Sequence, residues 1–172
     1  MAVVDKYTDT LFLAGKAANS AQFNGANIVA FSTLVTIAST DNNGSIYRLA
    51  KALPADLIPF QILIANDAQT GTTSVDLGLY RVTTPLANGA VIDKDIFMAA
   101  QSMASARAIG GEVNGLGNLI ANSGITFTNK RLWELAGDTI SNKAEGYDLA
   151  LTGNTLGGVA GNILVRAIFL QG

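Results

Sequence analysis

The sequence predicts an all-β fold: an antiparallel β-sandwich of jelly-roll type with one or two short helices. Three observations carry this. Short runs of alternating or β-branched apolar residues recur at roughly the 8 to 12 residue spacing of a sandwich or barrel. Turn signals such as "DNNG" (41 to 44), "DAQTGTT" (67 to 73) and "TTPLANGA" (83 to 90) separate them. No long 3.6-residue periodicity intervenes, which disfavours an α/β alternation. The count predicts about seven or eight strands, the number of a two-sheet jelly roll.

Residues 1 to 31, "MAVVDKYTDTLFLAGKAANSAQFNGANIVAF", have no clean period and are broken at Asn19, Ser20, Asn24 and Gly25. They read as an extended arm anchored by Tyr7, Leu11, Phe12, Leu13 and Phe23. A short helix near Lys6 to Leu13, or a first element packed on its own core, is the other reading. The division is therefore an N-terminal arm over 1–31 and a β-sandwich domain over 32–172. "STLVTIAST" is a strand that ends in the "DNNG" turn. "SIYRLAKAL" places Tyr47 and Leu49 opposite Arg48. Pro54 and Pro59 punctuate the next segment, because proline donates nothing to a ladder. "FQILIAN" places Phe60, Ile62 and Ile64 on one face.

"SVDLGLYRV" alternates, with Val75, Leu77 and Leu79 on one side and Asp76, Gly78 and Tyr80 on the other. A glycine in mid-strand leaves room for a bulge or a large neighbour. "VIDKDIFMAAQSM" reads as a strand end and then a helix, with Asp93 or Asp95 as N-cap. Residues 107 to 124 hold five glycines and read as a long Gly-rich loop, with Val113, Leu116 and Leu119 as contact candidates. "ITFTN" is a short strand. "KRLWELAG" is a helical turn or two stopped by Gly137, with Trp133 as an anchor to the sheet. "GYDLALTGN" is a strand, and "NILVRAIFLQ", apolar on both faces apart from Arg166, is a central strand covered on both sides. "VDLGLY" and "YDLALT" echo each other, which would place two similar strands near one another.

The chain has 172 residues, enough for one core without staples. Charged residues make up only 14%, against about 25% in ordinary soluble domains, so much of the surface is expected to be covered by neighbours. With net charge −2 and no basic stripe, nucleic acid is not an expected partner. No run reaches the roughly 18 apolar residues of a membrane span, and no leader is visible, so synthesis in the cytoplasm without export is expected.

The chain contains neither cysteine nor histidine. That removes thiolate nucleophiles, zinc–thiolate sites and the commonest general base. Asp76 and Asp148 would form a paired-carboxylate site if the echoed strands were neighbours, but the outward face of a strand also explains each. "DNNGS" and "DKD" are fragments of a calcium loop without its closing glutamate. Gly115 and Gly117 begin a dinucleotide fingerprint that Ile120 fails to complete. Catalytic, cofactor and metal residues are therefore expected to be absent. An enzyme working through Asp76 or Asp148 ranks last among the readings, and a carbohydrate-binding module using Trp133 or a tyrosine ranks above it.

The run "YRLAKALPADLIPFQILIANDA … SVDLGLYRV … GAVIDKDIF", with "GYDLALTGNTLGGVAGNILVRAIFL" near the end, resembles small virion structural proteins of tailed bacteriophages. The resemblance covers roughly residues 45 to 100 and 145 to 170. It implies a non-enzymatic head protein of the cement or decoration type, bound to the major capsid protein at the capsid surface as a homo-oligomer, trimer or dimer. A neck, tail or minor head component is the alternative within the virion.

Overall fold

The computed structural model describes residues 5–7, 20–23, 26–69, 72–82, 89–123, 130–139, 146–158 and 160–171. Among them are ten strands: β1 (Asp5–Tyr7), β2 (Ser20–Phe23), β3 (Ala26–Ile37), β4 (Ile46–Leu53), β5 (Leu57–Asn66), β6 (Ser74–Arg81), β7 (Val91–Ser102), β8 (Val113–Asn114), β9 (Tyr147–Thr155) and β10 (Gly161–Gln171). Two short helices, α1 (Gly117–Ser123) and α2 (Leu132–Leu135), lie between β8 and β9. Sheet A has the order β1-β4-β9-β6-β7 and sheet B the order β2-β3-β10-β5-β8. From β3 to β6 each successive strand crosses to the other sheet. Then β9 returns between β4 and β6, and β10 between β3 and β5. That winding is a jelly roll of eight strands. The two N-terminal strands are added at its edges, β1 parallel to β4 and β2 antiparallel to β3.

The core lies between the sheets and follows strand alternation. Val75, Leu77 and Leu79 on β6 and Leu149 and Leu151 on β9 are fully buried, facing Ile62 and Ile64 on β5 and Ile163, Val165 and Phe169 on β10. Burying each such side chain contributes about 1.5–3 kcal/mol. The "DNNG" turn carries the chain from sheet B to sheet A. Asp41 shapes it by accepting the Ala38 N–H at 3.0 Å and the Tyr47 hydroxyl at 2.8 Å, and Gly44 supplies the positive φ of 85°. Burial and the Asp41 carboxylate together push the Tyr47 phenol well above its usual pKa.

Several expectations need correction. Residues 91 to 102 form one long strand with no helix after Asp95. The apolar spacing of "IFMAA" fits either element, and pairing with β6 decides for strand. β5 starts before Pro59, and this proline lies inside it opposite Phe169. The strand tolerates it because the register slips there and Phe60 is the extra residue. The slip turns Phe60 out to 61% exposure, away from Ile62 and Ile64. The Gly-rich stretch contains β8 and α1, since Leu116 and Leu119 lie three apart and both reach the core. β10 is central, but its outer face is half-exposed where cover on both sides was expected. β3 begins at Ala26, so the boundary at 31/32 falls inside a strand. α2 with Gly137 at φ 73° matches the helix read from "KRLWELAG". Residues 11 to 13 and "ITFTN" (125 to 129) lie outside the described residues.

Candidate functional site

The echoed strands β6 and β9 are neighbours at the centre of sheet A, antiparallel, with Gly78 opposite Ala150. Each carries a buried aspartate on the face away from the core, Asp76 at 2% and Asp148 at 0% exposure. The register pairs Asp76 with Thr152 and Tyr80 with Asp148. The two carboxylates are therefore offset by four residues, about 14 Å along the strands at about 3.4 Å per residue. That exceeds the separation at which two carboxylates share a glycosidic bond.

Both aspartates perform the same task. Asp148 accepts the N–H of Ala52 on β4 at 2.9 Å and pairs with Arg48 at 3.1 Å. Asp76 accepts the N–H of Ala100 on β7 at 2.7 Å and pairs with Lys94 at 2.8 Å. Ala52 and Ala100 are the two described non-glycine residues with positive φ, 51° and 45°. Left-handed alanine is unfavourable unless neighbours hold it. Each carboxylate thus anchors a bulge in the strand beside it, and the sequence echo is the signature of that repeated device. The Arg48 guanidinium also donates to Gly89 O and lies 5.1 Å from the Tyr80 ring centre, while the Tyr80 hydroxyl bonds Thr152. Each of these polar side chains is bonded to another group of the network or to the backbone.

Gly78 completes the arrangement. From Leu77 to Leu79, β6 advances two residues, whereas its partners on β7 run from Met98 to Asp93, five residues. The surplus backbone of β7 folds over Gly78, where a Cβ would stand 2.0 Å from the Asp93 carbonyl oxygen. The glycine makes the room for a bulge that its mid-strand position predicts.

Asp93 and Asp95 lie in this bulge, at the floor of a cleft closed by Asn118, Lys130 and Glu134. Neither caps a helix. The Asp93 carboxylate accepts the Asp95 N–H at 3.2 Å, and its proximity raises the Asp95 pKa. Asn118 donates to Asp95 O at 2.6 Å, and Glu134 is engaged by the Arg131 N–H at 2.8 Å. Among the described residues no group of three or more His, Cys, Asp or Glu is placed to hold a metal ion. Trp133 is half-buried against the core, with its backbone N–H bonded to Ala55 O at 3.1 Å.

The contact candidates scatter. Tyr7 is on β1 and Phe23 on β2, at the edges of opposite sheets. Val113 is half-buried on β8, and Leu116 and Leu119 are buried at 3% and 2% exposure, so these two present no surface. Among the described residues, a row of open apolar side chains lies on the outer face of sheet B. Leu34 on β3 is 54% exposed, opposite Leu164 on β10, and Ile168 and Leu170 continue the row half-exposed. Arg166 is the charged side chain among these outward β10 positions, and it is paired with Glu112. The signal for this face is the apolar outer row of β10 itself.

No protein-family model matches the chain, and no curated protein matches it. Among solved structures, a chain from "Capsid of Ralstonia phage GP4" matches with a TM-score of 0.65 at 15% identity, covering 98% of this chain and 99% of that one. A chain from "Cyanophage Pam1 capsid asymmetric unit" gives a TM-score of 0.47 at 14% identity, covering 91% and 94%. The likeness to the first of these is one of fold, and it runs the whole length of the jelly roll.

Proposed function

We propose that this chain is a non-enzymatic structural protein of a phage virion, which binds the major capsid protein at the capsid surface and stabilises the shell. The observation that carries this reading is the end-to-end match in fold to a chain from the capsid of Ralstonia phage GP4, with almost all of both chains aligned. Three features support it. The chain lacks histidine and cysteine, and its buried carboxylates hold a turn and two bulges. The chain is poor in charge, with 14% charged residues, as expected of a protein covered by neighbours. Sheet B leaves apolar side chains open to a neighbour within an assembly, and a structural role requires buried area rather than reactive groups.

The test uses particles of the encoding phage assembled without this chain. The purified protein should co-sediment with expanded shells, saturate at a fixed ratio to the major capsid protein, and raise the temperature at which shells break. Saturation at only a few copies per particle would place it at the neck or tail. Absence of binding together with unchanged shell stability would overturn the reading.

A further inference from the structure

We infer that the outer face of sheet B is a two-fold interface at which a second copy of this chain docks, sheet against sheet. The inference goes beyond shell binding and does not depend on it.

The face carries a knob at one end and a groove at the other. The knob is Phe60, pushed out by the bulge in β5 and 61% exposed. The groove, about 310 Å³, lies between the Leu34–Leu164 pair and the loop carrying Ala106, Ala108 and Ile109. A cavity of about 150 Å³ already admits a benzene ring, so the groove has room for a phenyl side chain. On β5 the groove begins at Ala65, the residue opposite Leu164. Phe60 is five residues away, about 17 Å at about 3.4 Å per residue. A two-fold axis midway, near Leu63 and Arg166, places each Phe60 over the other copy's groove. Complementary features at opposite ends of one face are what an isologous interface requires.

The groove is held open by built contacts. Arg107 donates to Asn66 Oδ1 at 3.0 Å and Ser102 O at 2.9 Å, and its backbone bridges Asn66 in both directions at 3.1 and 2.8 Å. Beyond Ile109, Glu112 accepts the Gly110 N–H at 2.7 Å and pairs with Arg166. Ile109 is therefore held at 68% exposure by a loop tied on both sides.

Area and charge fit a second copy. The three long strands, of twelve, eleven and ten residues, with the four of β2 and the two of β8 at the edges, cover on the order of 600 Å² at about 3.4 Å by 4.8 Å per residue. That is the lower end of one partner's share of a standard interface. Arg166 is neutralised by Glu112, and Arg107 lines the groove together with Asp67. The face thus meets its own image without a like-charge penalty, and sheet-on-sheet packing at about −30° is an ordinary geometry.

The test is sedimentation equilibrium of the full chain, with cross-linking. The native protein should be a reversible dimer. Phe60→Asp or Ile109→Asp should each weaken dimerisation on the order of thirtyfold, the loss typical of a hot-spot residue, with an unchanged unfolding midpoint in protein diluted until native and variant are both monomeric as the control for folding. The chain has no cysteine. Mixing Phe60→Cys with Ile109→Cys copies under mild oxidation should therefore give one mixed disulfide dimer, well above what either variant forms alone. A monomer at every concentration, a trimer, or equal cross-linking of each variant with itself would overturn the inference. So would a monomer whose Asp variants lose shell binding, since the face would then belong to the shell.

Discussion

Sheets A and B share the same inner pattern of buried aliphatic residues, yet their outer faces differ in kind. Sheet A turns outward Arg48, Asp76, Tyr80, Asp148 and Thr152, and all are buried and bonded within a polar network. Sheet B turns outward Leu34, Leu164, Ile168 and Leu170, and these stay half-open or exposed. A buried polar network stabilises only when every member is satisfied, so sheet A is intolerant of change and fixes the shape. A face whose apolar side chains stand open beside exposed polar ones such as Ser32, Thr36 and Gln61 tolerates substitution, and its apolar part gains only when something covers it. Polar residues here mark architecture, and apolar residues mark the candidate contact.

The comparison breaks first at Gly78. Gly78→Ala places a methyl group inside the van der Waals radius of the Asp93 carbonyl, where the obstacle is backbone and cannot rotate away. The expected loss is about 4 kcal/mol or more, with failure to fold as its extreme, read by urea denaturation. Next come the echoed aspartates, which are expected to differ. Asp148→Ala removes the carboxylate paired with the Arg48 guanidinium at 0% exposure and should cost about 3–5 kcal/mol. Asp76→Ala leaves Lys94, whose side chain is 47% exposed, free to reach water, and should cost about 1–3 kcal/mol. Equal losses would show that the two bulges do not depend on their ion pairs in the manner described.

Much of this is legible in the sequence, and the misreadings have specific physical causes. The alternation of β6 and β9, the echo between them, the centrality of β10 and the significance of a mid-strand glycine all come from local residue pattern. Residues 93 to 95 do not, because D-x-D before an apolar run fits a helix cap as well as a bulge. The fact that decides between them, the space above Gly78, lies on another strand. Counting in twos puts Phe60 beside Ile62 and Ile64, and the count fails at a bulge that Pro59 permits. Alternation places Asp76 off the core face correctly, but pattern cannot tell that the bulged β7 chain folds back toward that face. For the same reason pattern cannot separate a covered apolar row from an open one, which is why β10 reads as buried on both sides.

A smaller effect tests the polar side through pH. Arg81 forms two bonds to Asp138, at 2.6 and 2.8 Å, and the Tyr147 hydroxyl adds a third at 2.5 Å. The Arg81 bonds foremost, joined by Tyr147, lower the Asp138 pKa to about 2. A depressed carboxylate stabilises the fold above its unfolded pKa of about 3.9, and this contribution disappears as pH falls from about 4 toward 2. Asp138→Asn should lower stability at neutral pH by about 1–2 kcal/mol and flatten the acid limb in that window. An unchanged acid limb would mean that other carboxylates govern acid unfolding.

The smallest expected effect on stability is the one that bears most on the open face. Leu34 lies beside Leu164 with half its surface in water, so Leu34→Lys removes little buried area and should change the unfolding free energy by less than about 0.5 kcal/mol. If sheet B is covered in the assembled state, the same substitution forces a lysine ammonium into an apolar contact and association should fall sharply, measured by sedimentation of the protein alone and on shells. The separation of the two readouts is what matters. Loss of association together with loss of stability in dilute, monomeric protein would make Leu34 a core residue, and loss of neither would leave the face an ordinary exposed surface. Intact folding with lost association would mean that one jelly roll divides its labour between its sheets, with sheet A holding the shape and sheet B holding a neighbour.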